Sequence, residues 1–184
     1  MKNPKLSFSI VVLSLFFNLS ELNAFENASI EMRISDYREA VSNNDWDGIV
    51  SFIPPLLLRK MARKFDLEVN DLIAGLKQEM KNAMASVSIV YFELDLQNTV
   101  KNESSSGRIY LLIPTATVIK SKESLIRRES HTLAFVDNKV WYLVRLDEDT
   151  QIMFLKEAYP EFENVTFPKS TMNIIEVNGN NFKK

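Results

Sequence analysis

The stretch SHTLAFVDNKVWYLVRLDE, residues 130–148, gathers the side chains with the greatest chemical reach in this 184-residue chain. His131 is the only histidine, and an imidazole titrates near neutral pH, which suits it to general acid or base work. Arg145 and Tyr110 are the candidates to stabilise negative charge developing beside it. Arg145-Leu146-Asp147 sets a guanidinium and a carboxylate two residues apart, hence on one strand face, as an anion clamp at a pocket rim would. Trp141 and Tyr142 complete the ligand-binding candidates: Tyr110, His131, Trp141, Tyr142, Arg145 and Asp147.

Each candidate has a plainer counterpart. A strand histidine that donates to a carbonyl, to Glu129 or to Asp147 is inert, and an Arg–Asp cross-strand salt bridge on a surface is common and weak. Trp141 and Tyr142 serve as large buried anchors whichever face they take, and Trp141→Ala costs about 3–5 kcal/mol in a core setting. Two registers for the hairpin separate the readings. A two-residue turn sets Phe135 opposite Val140 and His131 opposite Val144; a three-residue turn sets His131 opposite Arg145 and Phe135 opposite Trp141. A one-residue slip swaps the faces, so only one register brings His131 and Arg145 together.

Other chemistries lack their residues. With no cysteine and one histidine there is no thiolate zinc site and no His-rich metal site. Asp45-Trp46-Asp47 and Glu161-Phe162-Glu163 lack the spacing and glycine of a calcium loop, and read as helix caps and a docked tail. Four glycines form no phosphate-cradling loop or dinucleotide fingerprint, so no metal and no cofactor is expected.

The elements that must position these residues divide into helices first and strands afterwards, an α+β order. Ile30, Ile34, Tyr37 and Val41 share one face of a first helix, stopped by Ser42-Asn43-Asn44-Asp45. Trp46, Ile49, Val50 and Ile53 mark a short second helix ending at Pro54-Pro55, with Pro55 opening a third whose register is Leu57, Met61 and Phe65. A fourth starts at the capping pair Asn70-Asp71 and carries Leu72, Ile73, Leu76, Met80 and Met84. Strands are expected over Val87–Leu96, Arg108–Lys120, Arg128–Val136 and Val140–Leu146, with Asn98–Gly107 as an exposed loop. Pro114 demands a bulge or an edge, and Asp137-Asn138 a tight hairpin turn.

Residues 1–24 combine Lys2 and Lys5 with the apolar run Leu6 to Leu19 and end on Leu22-Asn23-Ala24, a secretory signal peptide too short and too interrupted to span a bilayer. Removing it leaves 20 basic against 23 acidic residues, a formal charge of −3, without the basic face that nucleic acid requires. The expectation is one domain over 25–177, a polar tail over 178–184, no membrane span after cleavage, and a periplasmic or secreted location in a bacterium. Three N-x-S/T matches, at Asn27, Asn102 and Asn164, carry no weight there.

Helices followed by strands, with the central hairpin V-D-N-K-V-W-Y-L-V, resemble the nuclear transport factor 2-like fold, a cone whose helices close over a bent sheet. The chain is also similar to a subset of uncharacterised exported bacterial members. The matching pieces are Pro54-Pro55-Leu56-Leu57, Ile113 to Val118 (IPTATV), Thr132 to Phe135 (TLAF), Trp141 to Asp147 (WYLVRLD) and Tyr159-Pro160-Glu161-Phe162 ahead of Phe167-Pro168.

The resemblance implies N-terminal helices packed on a curved antiparallel sheet, a pocket between them, and a sheet face that pairs with a second copy as a homodimer. The aspartate, tyrosine and protonated aspartate of the superfamily's ketosteroid isomerase have no matching positions here. The expected function is therefore a non-catalytic module binding a small apolar or anionic ligand or another protein. A cofactor-free isomerase or dehydratase using His131 is the competing class.

Overall fold

The computed structural model describes residues 29–122 and 124–176; the expected signal peptide and the tail from 178 lie outside them. The chain divides into two compact units, Met1–Asp36 and Tyr37–Lys184. Of the first, only residues 29–36 are described, the opening of helix α1 (29–42). Ile30 and Ile34 are buried as the helical period requires.

In the second unit α1 ends where expected, with Asn44 at φ 52°. Helix α2 (Trp46–Ser51) is capped by Asp45, whose carboxylate accepts from the Gly48 N–H at 3.0 Å. Helix α3 (Pro55–Lys64) has Pro55 in its first turn. Its buried side is Leu57, Leu58 and Ala62, while Phe65, expected on that face, follows the last turn and is 54 % exposed. Helix α4 (Val69–Met84) starts two residues before Asp71; Glu68 is its N-cap, and neither Asn70 nor Asp71 caps it. Leu58, Ala62 and Leu72 form a small helical core with Ile53, Met61, Val69, Ile73 and Leu76 around it.

A six-stranded antiparallel, strongly curled sheet follows. Its spine is β3 (Ile109–Lys120) and β4 (Ser124–Asp137), paired from Tyr110↔Phe135 to Lys120↔Leu125. One edge of β3 carries β1 (Ser88–Leu94) and then β2 (Val100–Glu103); one edge of β4 carries β5 (Val140–Arg145) and then β6 (Thr171–Glu176). β2 lies inside the segment expected to be a loop, and β4 begins four residues earlier than expected.

Pro114 sits in neither a bulge nor an outer strand. It lies where β1 has ended and β2 has not begun, and its carbonyl accepts from the Asp95 N–H at 2.9 Å. The missing N–H therefore faces the break between two neighbours.

Helix α5 (Asp149–Ala158) and a 3₁₀ turn (Pro160–Phe162) fold back over one sheet face, an addition to the expected helices-then-strands order. Glu148 and Gln151 form a reciprocal capping box at the start of α5. Tyr110, Leu112, Leu133, Phe135 and Val144 from the sheet close on Phe154, Leu155, Ala158, Tyr159, Phe162 and Phe167, with Leu57 of α3 joining them. Phe162 is fully buried, with Tyr110, Phe135, Tyr159 and Phe167 arranged around its ring at 5.3–6.3 Å between centroids.

Candidate functional site

The hairpin turn is Asn138-Lys139, both at positive φ (49° and 66°), closed by the pair Asp137↔Val140. That is a two-residue turn of the mirror-image kind that matches strand twist. It sits one residue later than expected and overturns both expected registers: Phe135 faces Tyr142, Leu133 faces Val144 and Thr132 faces Arg145. Leu146, whose N–H donates to the His131 carbonyl at 2.9 Å, takes the place beside His131.

Period-two alternation then sorts the candidates. Tyr110, His131 and Tyr142 belong to the face covered by α5; Arg145, Asp147 and Trp141 belong to the other. His131 and Arg145 are thus on opposite faces, so no imidazole–guanidinium pair exists. Trp141 and Tyr142 are half-buried and not the core anchors expected of them. Tyr110 is 5 % exposed within the aromatic cluster, and burial pushes its phenol above the usual range.

On the Arg145 face the guanidinium is enclosed by its own partners. Nε and Nη2 donate to Asp147 Oδ1 at 3.2 and 2.8 Å, Nη1 donates to Thr117 Oγ1 at 3.3 Å, and Nη2 reaches Ser130 Oγ at 3.3 Å. The Phe92 ring lies 5.7 Å from its carbon. Tyr37 of α1 completes the cluster: its ring packs edge-on against Phe52 at 4.9 Å and Phe92 at 6.0 Å, and its phenol bonds Arg145. Burial raises the Tyr37 pKa, and Arg145 offsets this in part. The expected Arg145–Asp147 salt bridge is present, but not as a cross-strand bridge. It is an ion pair within one chain segment, each side chain 19 % exposed, backed by the Thr115–Thr132 hydroxyl bond of 2.8 Å.

On the opposite face His131 lines a cleft of about 350 Å³, open to solvent, with Glu93, Pro114, Glu129, Arg127 and Lys169 around it. Its Nδ1 is buried without a hydrogen-bond partner, so the expected contact to a carbonyl, Glu129 or Asp147 is not made at that nitrogen. Burial holds the imidazole below its usual pKa, which keeps it neutral at pH 7. Several of the surrounding charges are already engaged: Arg127 Nε pairs with Glu129 at 2.9 Å, Tyr91 donates to Glu93, and Asp95 accepts from Gln97 N, Asn98 N and Asn98 Nδ2. Among the described residues no three His, Cys, Asp or Glu side chains converge as a metal ion requires.

A third polar group locks α5 to the hairpin. Arg108 lies 5.4 Å from the Phe135 and Tyr159 ring centroids and donates to the Val136 carbonyl at 2.5 Å. Its Nε is 2.9 Å from Glu161 Oε1, an ion pair by distance although the N–H is not aligned for a hydrogen bond. Tyr159 donates to Asp137 at 2.8 Å, and burial followed by that carboxylate drives its pKa well up.

Sequence reasoning read Tyr37 as one more core position and missed Arg108, Tyr159 and Glu161 as a group. A hydroxyl on an otherwise aliphatic helix stripe was the available signal for Tyr37; nothing local marks the others, because they meet only through the α5 fold-back. Among the described residues no helix is long and apolar enough to cross a membrane. Comparison with known proteins yields no match to a family model, to a curated protein or to a solved structure.

Proposed function

We propose that this chain is a non-catalytic protein-interaction module of the nuclear transport factor 2-like cone type, exported into the envelope of a bacterium. The observation that carries the non-catalytic part is the division of its two reactive groups between opposite sheet faces. Arg145 is saturated by Asp147, Thr117, Ser130 and Tyr37. His131 has no orienting partner at Nδ1, which a general base needs to hold its tautomer. Both features count against an isomerase or dehydratase. The α+β order, the curled antiparallel sheet and the V-D-N-K-V-W-Y-L-V hairpin support the cone type. Phe135, Phe162, Leu133 and Tyr110 pack together on the face covered by α5, and Ile113, Leu143 and Leu94 are buried on the other, a close packing that supports an interaction module over a ligand-holding one.

Native mass spectrometry of the protein isolated from its own host tests this reading. The expected spectrum shows polypeptide masses with no small molecule retained. A small molecule that survives purification and desalting overturns it in favour of a ligand-binding module. One observation favours that second reading: the solvent-open cleft that His131 lines together with Arg127 and Lys169, two cations beside one imidazole. A retained anionic ligand that is lost in His131→Ala would establish it.

A further inference from the structure

β6 leaves the sheet with an outer edge that no strand pairs among the described residues. Such an edge presents a row of free N–H and C=O groups, and natural proteins usually protect it with lysine, proline or a bulge. None of these occurs between Thr171 and Ile175, a run of Thr-Met-Asn-Ile-Ile. Instead the edge displays apolar side chains on both faces: Met172 is 59 % exposed and Ile174 67 % on one, Ile175 43 % on the other. Ile174 also ends a row of four isoleucines that crosses the sheet on one face, Ile89↔Ile119↔Ile126↔Ile174, of which the other three are half-buried.

We propose that this edge pairs antiparallel with the same edge of a second copy, about a two-fold axis at Asn173. The inference rests on the interaction-module reading and names its first partner. Self-complementarity selects a second copy. With the axis at Asn173, Met172 of each chain lies opposite Ile174 of the other on one face, and Thr171 opposite Ile175 on the other, so every exposed apolar side chain of the edge gains an apolar or methyl-bearing neighbour. No charged side chain lies between Thr171 and Ile175, so like charges do not meet. The nearest charges one strand inward are matched within their own chain, Arg127 with Glu129 at 2.9 Å and Arg128 with Glu148 at 3.9 Å. A foreign strand would find no charge on this edge to fix its identity or direction. Pairing along one short strand falls in the class of small interfaces, below about 1,200 Å², that dissociate on dilution.

The absence of cysteine makes the register testable on the full chain as its host processes it. A thiol placed at Asn173 would meet its own copy across the axis, with the Cβ atoms about 5 Å apart, close enough for a disulfide after small adjustment. A thiol at Thr171 would lie about 14 Å from its copy along the strand direction. Under mild oxidation Asn173→Cys is expected to give a covalent dimer at least tenfold faster than Thr171→Cys. Sedimentation equilibrium of the unmodified chain is expected to show a concentration-dependent monomer–dimer equilibrium. Ile174→Lys should weaken it at least tenfold while leaving the thermal midpoint of the monomer in place. Equal cross-linking at the two positions overturns the register. A chain that stays monomeric at every concentration overturns the proposal; the interaction-module reading would fall only if mass spectrometry also found a retained small molecule.

Discussion

Asp147 is the counter-ion that lets Arg145 sit beneath Phe92 and Tyr37. Removing one member of a largely buried pair strands the other charge, so Asp147→Ala is expected to destabilise the fold by about 3 kcal/mol, read from urea unfolding. Arg145→Met combined with Asp147→Leu should recover much of that loss, because two apolar side chains of similar volume need no counter-ion. His131 makes a different prediction. Its folded-state pKa is lowered by burial below the reference value of 6.5, so the unfolded chain binds the proton more readily. Its contribution to stability is complete above about pH 6.5 and is lost as pH falls through the folded value. The thermal midpoint of the parent should therefore drop more than that of His131→Gln between pH 8 and pH 5, measured by calorimetry. Equal drops would refute a buried neutral imidazole. The reactive residue types were legible in the sequence, but their association was not. One residue more or less in the turn decides whether His131 and Arg145 share a face, and that count depends on which of Asp137, Asn138 and Lys139 takes a positive φ.

At the level of elements, the β4–β5 turn has an asparagine and a lysine in left-handed conformation, of which only the first tolerates it readily. Lys139→Gly removes that strain and is expected to stabilise the protein by about 1 kcal/mol, seen as a higher urea midpoint at unchanged slope. A loss of stability would show that the lysine side chain contributes more than its backbone costs. The first four helices were readable because each buries one stripe, so the apolar period of 3.6 survives in the sequence. The spine of the sheet was readable because β3 and β4 are long apolar runs bounded by turn residues, although both bury side chains on both faces. Three elements were not. In α5 the apolar residues run together as Ile152-Met153-Phe154-Leu155, which hides the period although Phe154, Leu155 and Ala158 are the buried ones. β2 reads Val-Lys-Asn-Glu and takes its conformation from pairing with β3. β6 is exposed on both faces, so burial leaves no alternation in it.

For the molecule as a whole, the segment after Asp147 is no appendage. Phe154, Leu155, Tyr159, Phe162 and Phe167 supply much of the core that Tyr110, Leu133 and Phe135 need, and Arg108 ties Glu161 to the sheet. A chain ending at Asp147 is therefore expected to lose its cooperative thermal transition, with near-ultraviolet circular dichroism reporting the loss of fixed aromatic packing. A sharp transition in that truncation would show that the sheet is stable with one face bare. No disulfide holds these parts together, so reducing agents should leave the transition unchanged in the full chain. The break opposite Pro114 bears on engineering. β1 and β2 ride on β3 separately, joined by a short turn in which the Asp95 carboxylate holds Gln97 and Asn98 and whose tip is exposed. Because pairing is already interrupted there, extra residues between Asn98 and Thr99 add only the slowly growing entropy of a longer loop. That junction is a ready graft point for an epitope or a fluorophore-binding peptide, carried on the β1–β2 edge and clear of the β6 edge.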